Sequence, residues 1–181
     1  MNEIWIKQNK TCFKANDENA ENGIVIADGK MVELGADGKQ PSIQVDKHWD
    51  AREHVLLPGL INGHHHFYQT LTRACPAALN KKLFPWLKSL YPIWAGLTPE
   101  WHALATELAL VELLLSGCTT AADHHYLFPD HLNDAIDQQA QIAKQLGIRA
   151  TLTRGSMSLS EDEGGLPPRQ VVQTEQHILQ E

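Results

Sequence analysis

Over residues 1 to about 54 the apolar positions recur in short runs with strand spacing. IWIK alternates, and GIVIADGKMVELG is two short apolar runs joined at Asp28-Gly29, a dipeptide suited to a tight hairpin turn. SIQV at 42–45 reads as a further strand, with Asp37-Gly38 and Pro41 punctuating its approach. The pattern predicts a small antiparallel sheet over 1–54.

From Val55 onward the pattern changes. VLLPGLIN is a continuous apolar run, as expected of a strand buried on both faces, and it leads into GHHHFYQT. LFPWLKSLYPIW follows as a short, interrupted helix. TPEWHALATELALVELLLSG reads as a long one, with Thr98 as N-cap, Pro99 in the first helical position and Gly117 beyond the last turn. Its leucine stripe reads as core packing. CTTAADHHYLF is a second strand. Asp130 caps a helix running to Leu146 and stopped at Gly147. IRATLTR is a third strand, and VVQTEQHILQE after the GGLPP loop is a final helix. Strands alternating with helices predict parallel βα units with crossover connections. About three such units over residues 55–181 leave sheet edges unpaired, so the sequence reads as the front of a longer chain.

Composition narrows the partners more than the chemistry. The 181 residues carry a formal net charge of −7, with 43% hydrophobic and 20% charged residues and no basic run. That is globular composition, without the basic surface expected for a nucleic-acid backbone or an anionic membrane as partner. Cys12, Cys75 and Cys118 are far apart and form no CxxC pair, which suits reduced thiols in the cytoplasm. No export signal is read in MNEIWIKQNK, and no apolar run approaches membrane-spanning length.

The candidate chemistry lies in the histidine run. Alternation along a strand turns His64 and His66 to one side and His65 to the other. Just past the C-terminal end of a parallel strand, two imidazoles at i and i+2 can converge on one divalent ion, zinc or iron. A chance HxH with no ligand role is the competing reading of spacing alone. The buried-type strand and Pro58-Gly59 before the pair favour the metal.

These residues resemble a known family. PGLINGHHH is similar to the PGxx[DN]xHxH signature of the amidohydrolase superfamily, with Asn62 where many members have Asp. SGCTTAADHHYLFP, TRGSMSLSE and GGLPP extend the likeness, which is greatest to the 8-oxoguanine deaminases and the related hydroxytriazine aminohydrolases. The resemblance implies an α/β fold, the N-terminal part of a (β/α)8 barrel preceded by a small β-sandwich segment. It implies one divalent metal, zinc first and iron second, with His64 and His66 as two of its ligands. The family's remaining ligands and proton-transfer residues match no position of this chain, so its catalytic residues stay unassigned. The implied activity is hydrolytic deamination of a free purine-type base, 8-oxoguanine to urate and ammonia. Guanine, cytosine or hydroxytriazine aminohydrolysis is the nearer alternative, and a non-catalytic metal-binding protein the more distant one. A small heterocyclic substrate and homo-oligomers are the implied partners.

Five further residues are candidate substrate contacts, each with a competing structural reading. Gln69 matches a purine-bonding glutamine of related guanine deaminases, or is a solvent-facing loop residue. Trp86 offers a face for stacking a flat heterocycle, or packs in the core. His124 and His125 end the second strand, where only one of them can face a pocket. Arg154 ends the third strand, where it contacts a substrate carbonyl or makes a plain ion pair. Asp123 reads as structural, orienting a neighbouring imidazole.

Overall fold

A computed structural model describes residues 3–7, 11–12, 23–35 and 40–180. They fall into two compact units, residues 1–58 and 59–181. The first holds β1 (Ile4–Lys7), β2 (Thr11–Cys12), β3 (Gly23–Ala27), β4 (Lys30–Leu34), β5 (Lys47–Asp50) and β6 (Val55–Leu56). The hairpin forms as expected. Asp28 and Gly29 both take positive φ, 50° and 71°, as a two-residue turn of the right hand between twisted strands demands.

Two expectations for this unit are corrected. The sheet has order β4-β3-β1-β5 and is mixed, because β5 runs parallel to β1. The strand expected at 42–45 lies instead at Lys47–Asp50. Glu33 accepts hydrogen bonds from both the Ser42 amide (3.0 Å) and its hydroxyl (2.5 Å), which holds the chain in a bend. Pairing starts only when the Asp46 and Lys47 amides reach the Glu3 carbonyl. Val55–Leu56 pairs with Thr11–Cys12, so this unit extends past residue 54 to Pro58. The expected Asp37-Gly38 turn lies outside the described residues.

The second unit is a parallel three-stranded sheet, β7 (Leu60–His65), β8 (Cys118–His125) and β9 (Arg149–Arg154), in the order β7-β8-β9. Between the strands lie α1 (Leu83–Trp94), α2 (Pro99–Leu115) and α3 (Ala135–Leu146), and α4 (Glu175–Ile178) follows. The architecture is mixed α/β with two complete strand–helix–strand crossovers. The expected final helix is only the single turn of α4. The apolar run at 55–62 is not one strand buried on both faces. Leu57-Pro58-Gly59 divides it, and β7 is an edge strand among the described residues, with Leu60 59% and Ile61 75% exposed. Gly59 is needed where β7 starts, because a Cβ there would lie 2.0 Å from the Thr119 hydroxyl oxygen.

The helices follow their sequence signals unevenly. Thr98 caps α2 by accepting the Trp101 amide at 3.3 Å, and Gly117 (φ 84°) and Gly147 (φ 75°) end α2 and α3. α1 is continuous rather than interrupted. Pro85 sits in its first turn, where amides have no partner, and Pro92 lies close to its end. α3 begins at Ala135 rather than 130, since the Pro129 carbonyl first takes the Leu132 amide in a turn. The leucine stripe of α2 is only partly core. Ala109 and Leu110 are buried, whereas Leu108 and Leu115 are exposed.

Consecutive residues just past β7 enter two separate cores. Tyr68 packs with Leu90, Trp94, Leu127 and Phe128, while Phe67 packs with Leu110, Ala121, Ala143 and Ile148. Both side chains are fully buried, and full burial of a large apolar side chain contributes roughly 1.5–3 kcal/mol. The backbone directly behind the histidines is thereby pinned by two cores. No helix among the described residues is long and apolar enough to cross a membrane.

Candidate metal centre

The end of β7 departs from simple alternation. Asn62 pairs with Ala121 and His65 with Asp123, so β7 holds one residue more than β8 over this stretch, a bulge at Gly63-His64. Asn62 accepts the His64 amide through Oδ1 at 3.1 Å and shapes that bulge. A bulge re-aims the side chain it carries. The Nε2 atoms of His64 and His66 meet at 3.1 Å, with the rings edge to face at 4.9 Å between centroids.

The hydrogen bonding around His66 decides which nitrogen is free. Its Nδ1 lies 2.7 Å from the His124 carbonyl oxygen, which only accepts, so Nδ1 carries the proton and Nε2 presents a bare lone pair in the neutral ring. His64 stacks on the His124 ring at 4.3 Å, which limits its rotation. The donor set fits a divalent ion. Two imidazole nitrogens 3.1 Å apart are close to the edge of about 3.3 Å in a tetrahedral zinc site with bonds of about 2.0–2.1 Å. The described residues contain no group of three or more metal-ligating side chains, so the pair stands as a two-donor site.

A cleft of about 370 Å³ adjoins the pair, lined by His64, His66, Gln69, Thr70, Arg73 and Trp86 among others. Gln69 donates through Nε2 to the Tyr68 hydroxyl (3.2 Å) and the Tyr126 hydroxyl (3.4 Å). Tyr68 is buried, and burial is the largest cause holding its phenol neutral, well above the usual range. Trp86 lines the same cleft while its ring meets Trp94 edge to face at 5.4 Å. It packs in the core along one edge and borders the cleft along another.

The other candidates divide between the histidine pair and the core. His124 and His125 occupy opposite faces of β8. His124 stands beside His64, whereas His125 is fully buried between His102, Tyr68 and Phe128. Its Nε2 donates to the Leu127 carbonyl at 2.7 Å, and burial lowers its pKa to about 3. That side chain is core, not cleft. Arg154 lies over the Phe128 ring at 4.4 Å and donates to Gln173 at 2.9 Å, away from the histidine pair. His65 turns to Phe67, 5.2 Å between rings, and burial lowers its pKa.

Asp123 has a role that strand alternation hides. It is fully buried and makes no direct hydrogen bond to an imidazole. Oδ1 accepts the Phe67 amide at 2.6 Å and Oδ2 accepts Nε2 of Gln139, on α3, at 2.8 Å. Burial pushes its carboxyl up to about 6 against the opposing effect of these bonds.

Comparison with known proteins places this geometry in a lineage. A model of the amidohydrolase family matches residues 55–180, which include β7, β8, β9 and the paired histidines. The chain belongs to the amidohydrolase family. It is 59% identical over 179 residues to an 8-oxoguanine deaminase of Pseudomonas aeruginosa, covering 99% of this chain and 40% of that protein. It is 31% identical over 158 residues to a hydroxydechloroatrazine ethylaminohydrolase of Pseudomonas sp. (strain ADP), covering 80% of this chain and 32% of the relative. Among solved structures, an atrazine chlorohydrolase from Arthrobacter aurescens complexed with zinc superposes with a TM-score of 0.83 at 31% identity, covering 98% of this chain and 41% of that one. This amidohydrolase chain thus spans about 40% of the length of its 8-oxoguanine deaminase relative. The zinc in the chlorohydrolase supports a divalent metal in the superfamily.

Proposed function

We propose that this chain supplies two metal ligands and part of the substrate wall of a hydrolytic deaminase that acts on free 8-oxoguanine. The observation that carries the reading is the 3.1 Å meeting of the His64 and His66 Nε2 atoms at the end of a β-strand. Identity of 59% to an 8-oxoguanine deaminase along nearly the whole chain supports the substrate. His64 and His66 hold the metal, zinc in this proposal. When bound, such an ion supplies an activated water near neutral pH.

The chain's own residues prepare the site and present the base. The His124 carbonyl keeps the proton of His66 on Nδ1 and so keeps Nε2 available. The Tyr68 and Tyr126 hydroxyls take the Gln69 amide hydrogens, which leaves its oxygen as an acceptor for a ring N–H of the base. Trp86 offers a flat face on the same cleft. Deamination adds water at the ring carbon bearing the exocyclic amine and releases ammonia, giving urate from 8-oxoguanine. No residue of this chain is assigned the proton transfer.

The test is ammonia release by the intact, zinc-loaded protein on a panel of 8-oxoguanine, guanine, cytosine and a hydroxytriazine. Turnover of 8-oxoguanine is expected, with loss of that turnover in His66→Ala. Turnover of the hydroxytriazine with 8-oxoguanine untouched would move the substrate to the triazine side of the family.

A further inference from the structure

The buried carboxylate of Asp123 has no part in the chemistry described above, yet it lies where the histidine segment leaves the sheet. Phe67 is the first residue of the tight turn over Phe67–Thr72, so its amide has no partner within that turn. Asp123 takes that amide at 2.6 Å, and the next residue, His124, takes the His66 ring proton at 2.7 Å. Two successive residues of β8 therefore hold two successive residues of the histidine segment, one through the backbone and one through the ring. The carboxylate is itself held, because Gln139 reaches it from α3 at 2.8 Å. The Gln139 carbonyl oxygen is buried and without a hydrogen bond. The amide therefore takes this orientation for the sake of its contact with Asp123.

Resting on the reading of His64 and His66 as metal ligands, we propose that Asp123, held by Gln139, is a positioning residue that fixes the Phe67 amide and with it the approach of His66 Nε2 to His64. The geometry carries this through two successive residues of β8. The His124 main-chain carbonyl restrains the ring, and the Asp123 side chain restrains the following peptide from the core side. Without the carboxylate, the Phe67 amide loses its acceptor, and the peptide joining residues 66 and 67 is free to rotate. The His66 ring then leaves the His124 carbonyl, and the pair no longer converges.

The experiment compares zinc affinity and the visible spectrum of the cobalt-substituted site in the intact protein and its variants. Asp123→Leu removes both acceptor oxygens and keeps the branched shape, with bulkier methyl groups in their place. It should lower zinc affinity roughly 10–100-fold, the usual effect of losing a partner that orients a ligand, and alter the cobalt bands even at saturating metal. Asp123→Asn keeps an acceptor for the Phe67 amide and gives the free Gln139 oxygen a donor, so affinity and spectrum should stay close to the parent. Gln139→Leu releases the carboxylate without removing it and should weaken zinc by a smaller factor. It also decides the matter should Asp123→Leu fail to fold. Unchanged affinity and cobalt bands in a folded Asp123→Leu, or in folded Gln139→Leu where Asp123→Leu does not fold, would overturn the positioning role. The ligand reading is judged separately by His64→Ala and His66→Ala. If these leave zinc affinity intact, that reading fails; if they abolish it while the Asp123 and Gln139 variants have no effect, only the positioning role fails.

Discussion

Replacing His66 with alanine lowers the zinc affinity of the protein by more than roughly 100-fold, since loss of a partner that merely orients a ligand already costs about 10–100-fold. His64→Ala has an effect of similar size, and His65→Ala a small one. The difference follows from where the three rings point. The Nε2 atoms of His64 and His66 face each other at 3.1 Å, whereas His65 lies against Phe67. Loss of His66 also frees the His124 carbonyl, its partner at 2.7 Å, so a bond that holds the segment disappears together with a donor. Equilibrium dialysis against buffered zinc with metal analysis measures all three variants. Equal effects at the three positions would mean that the run binds as a flexible cluster and not as a built pair.

Acid destabilises the second unit through His125. Burial is the largest cause lowering its pKa, from 6.5 to about 3, and His102, Arg154 and His66 act in the same direction. His102 is also buried with a lowered pKa, and Tyr68 and Phe128 close the remaining sides. The sign follows from the unfolded chain, where the imidazole takes up a proton below about 6.5 while the folded one does not. The stability contributed by neutral His125 is complete above 6.5 and falls as pH drops towards about 3. By about pH 4 the loss is on the order of 3 kcal/mol. Asp123 acts in the opposite sense. Its carboxyl is raised from 3.8 to about 6, so its contribution grows as pH falls through 6 and is complete below 3.8. His125→Gln removes the titration and retains a donor for the Leu127 carbonyl. Urea unfolding at a series of pH values should show a shallower loss of stability on acidification in His125→Gln than in the parent, since His102 and His65 still titrate in the same sense. Parallel profiles would show that His125 is not the acid-sensitive group.

Much of the second unit was legible because its signals are local. Thr98, Gly117 and Gly147 act on the turn next to them, and each bounds a helix where expected. The hairpin at Asp28-Gly29 is legible for the same reason. The strand at 42–45 failed because an apolar spacing of two also fits a bent segment held by one side chain, here Glu33. Of the candidate site, the His64/His66 spacing follows from residue order, whereas Gln69 and Trp86 are candidates through the family resemblance. The bulge that brings the pair together depends on the register against β8, which one strand's sequence does not contain. Alternation said that His124 and His125 part ways but not which faces inward, since the sign depends on what packs on each face. The Asp123 clamp was hidden more completely. Its partner at residue 67 is a backbone amide, and no side-chain pattern marks it.

The most direct test of the paired imidazoles is a long-range proton–nitrogen correlation spectrum of the histidine rings, recorded as zinc is added. The Nε2 signals of His64 and His66 should move together while His66 keeps its proton on Nδ1, with His125 unchanged. Zinc taken up with neither of those two nitrogens responding would contradict the account at its base.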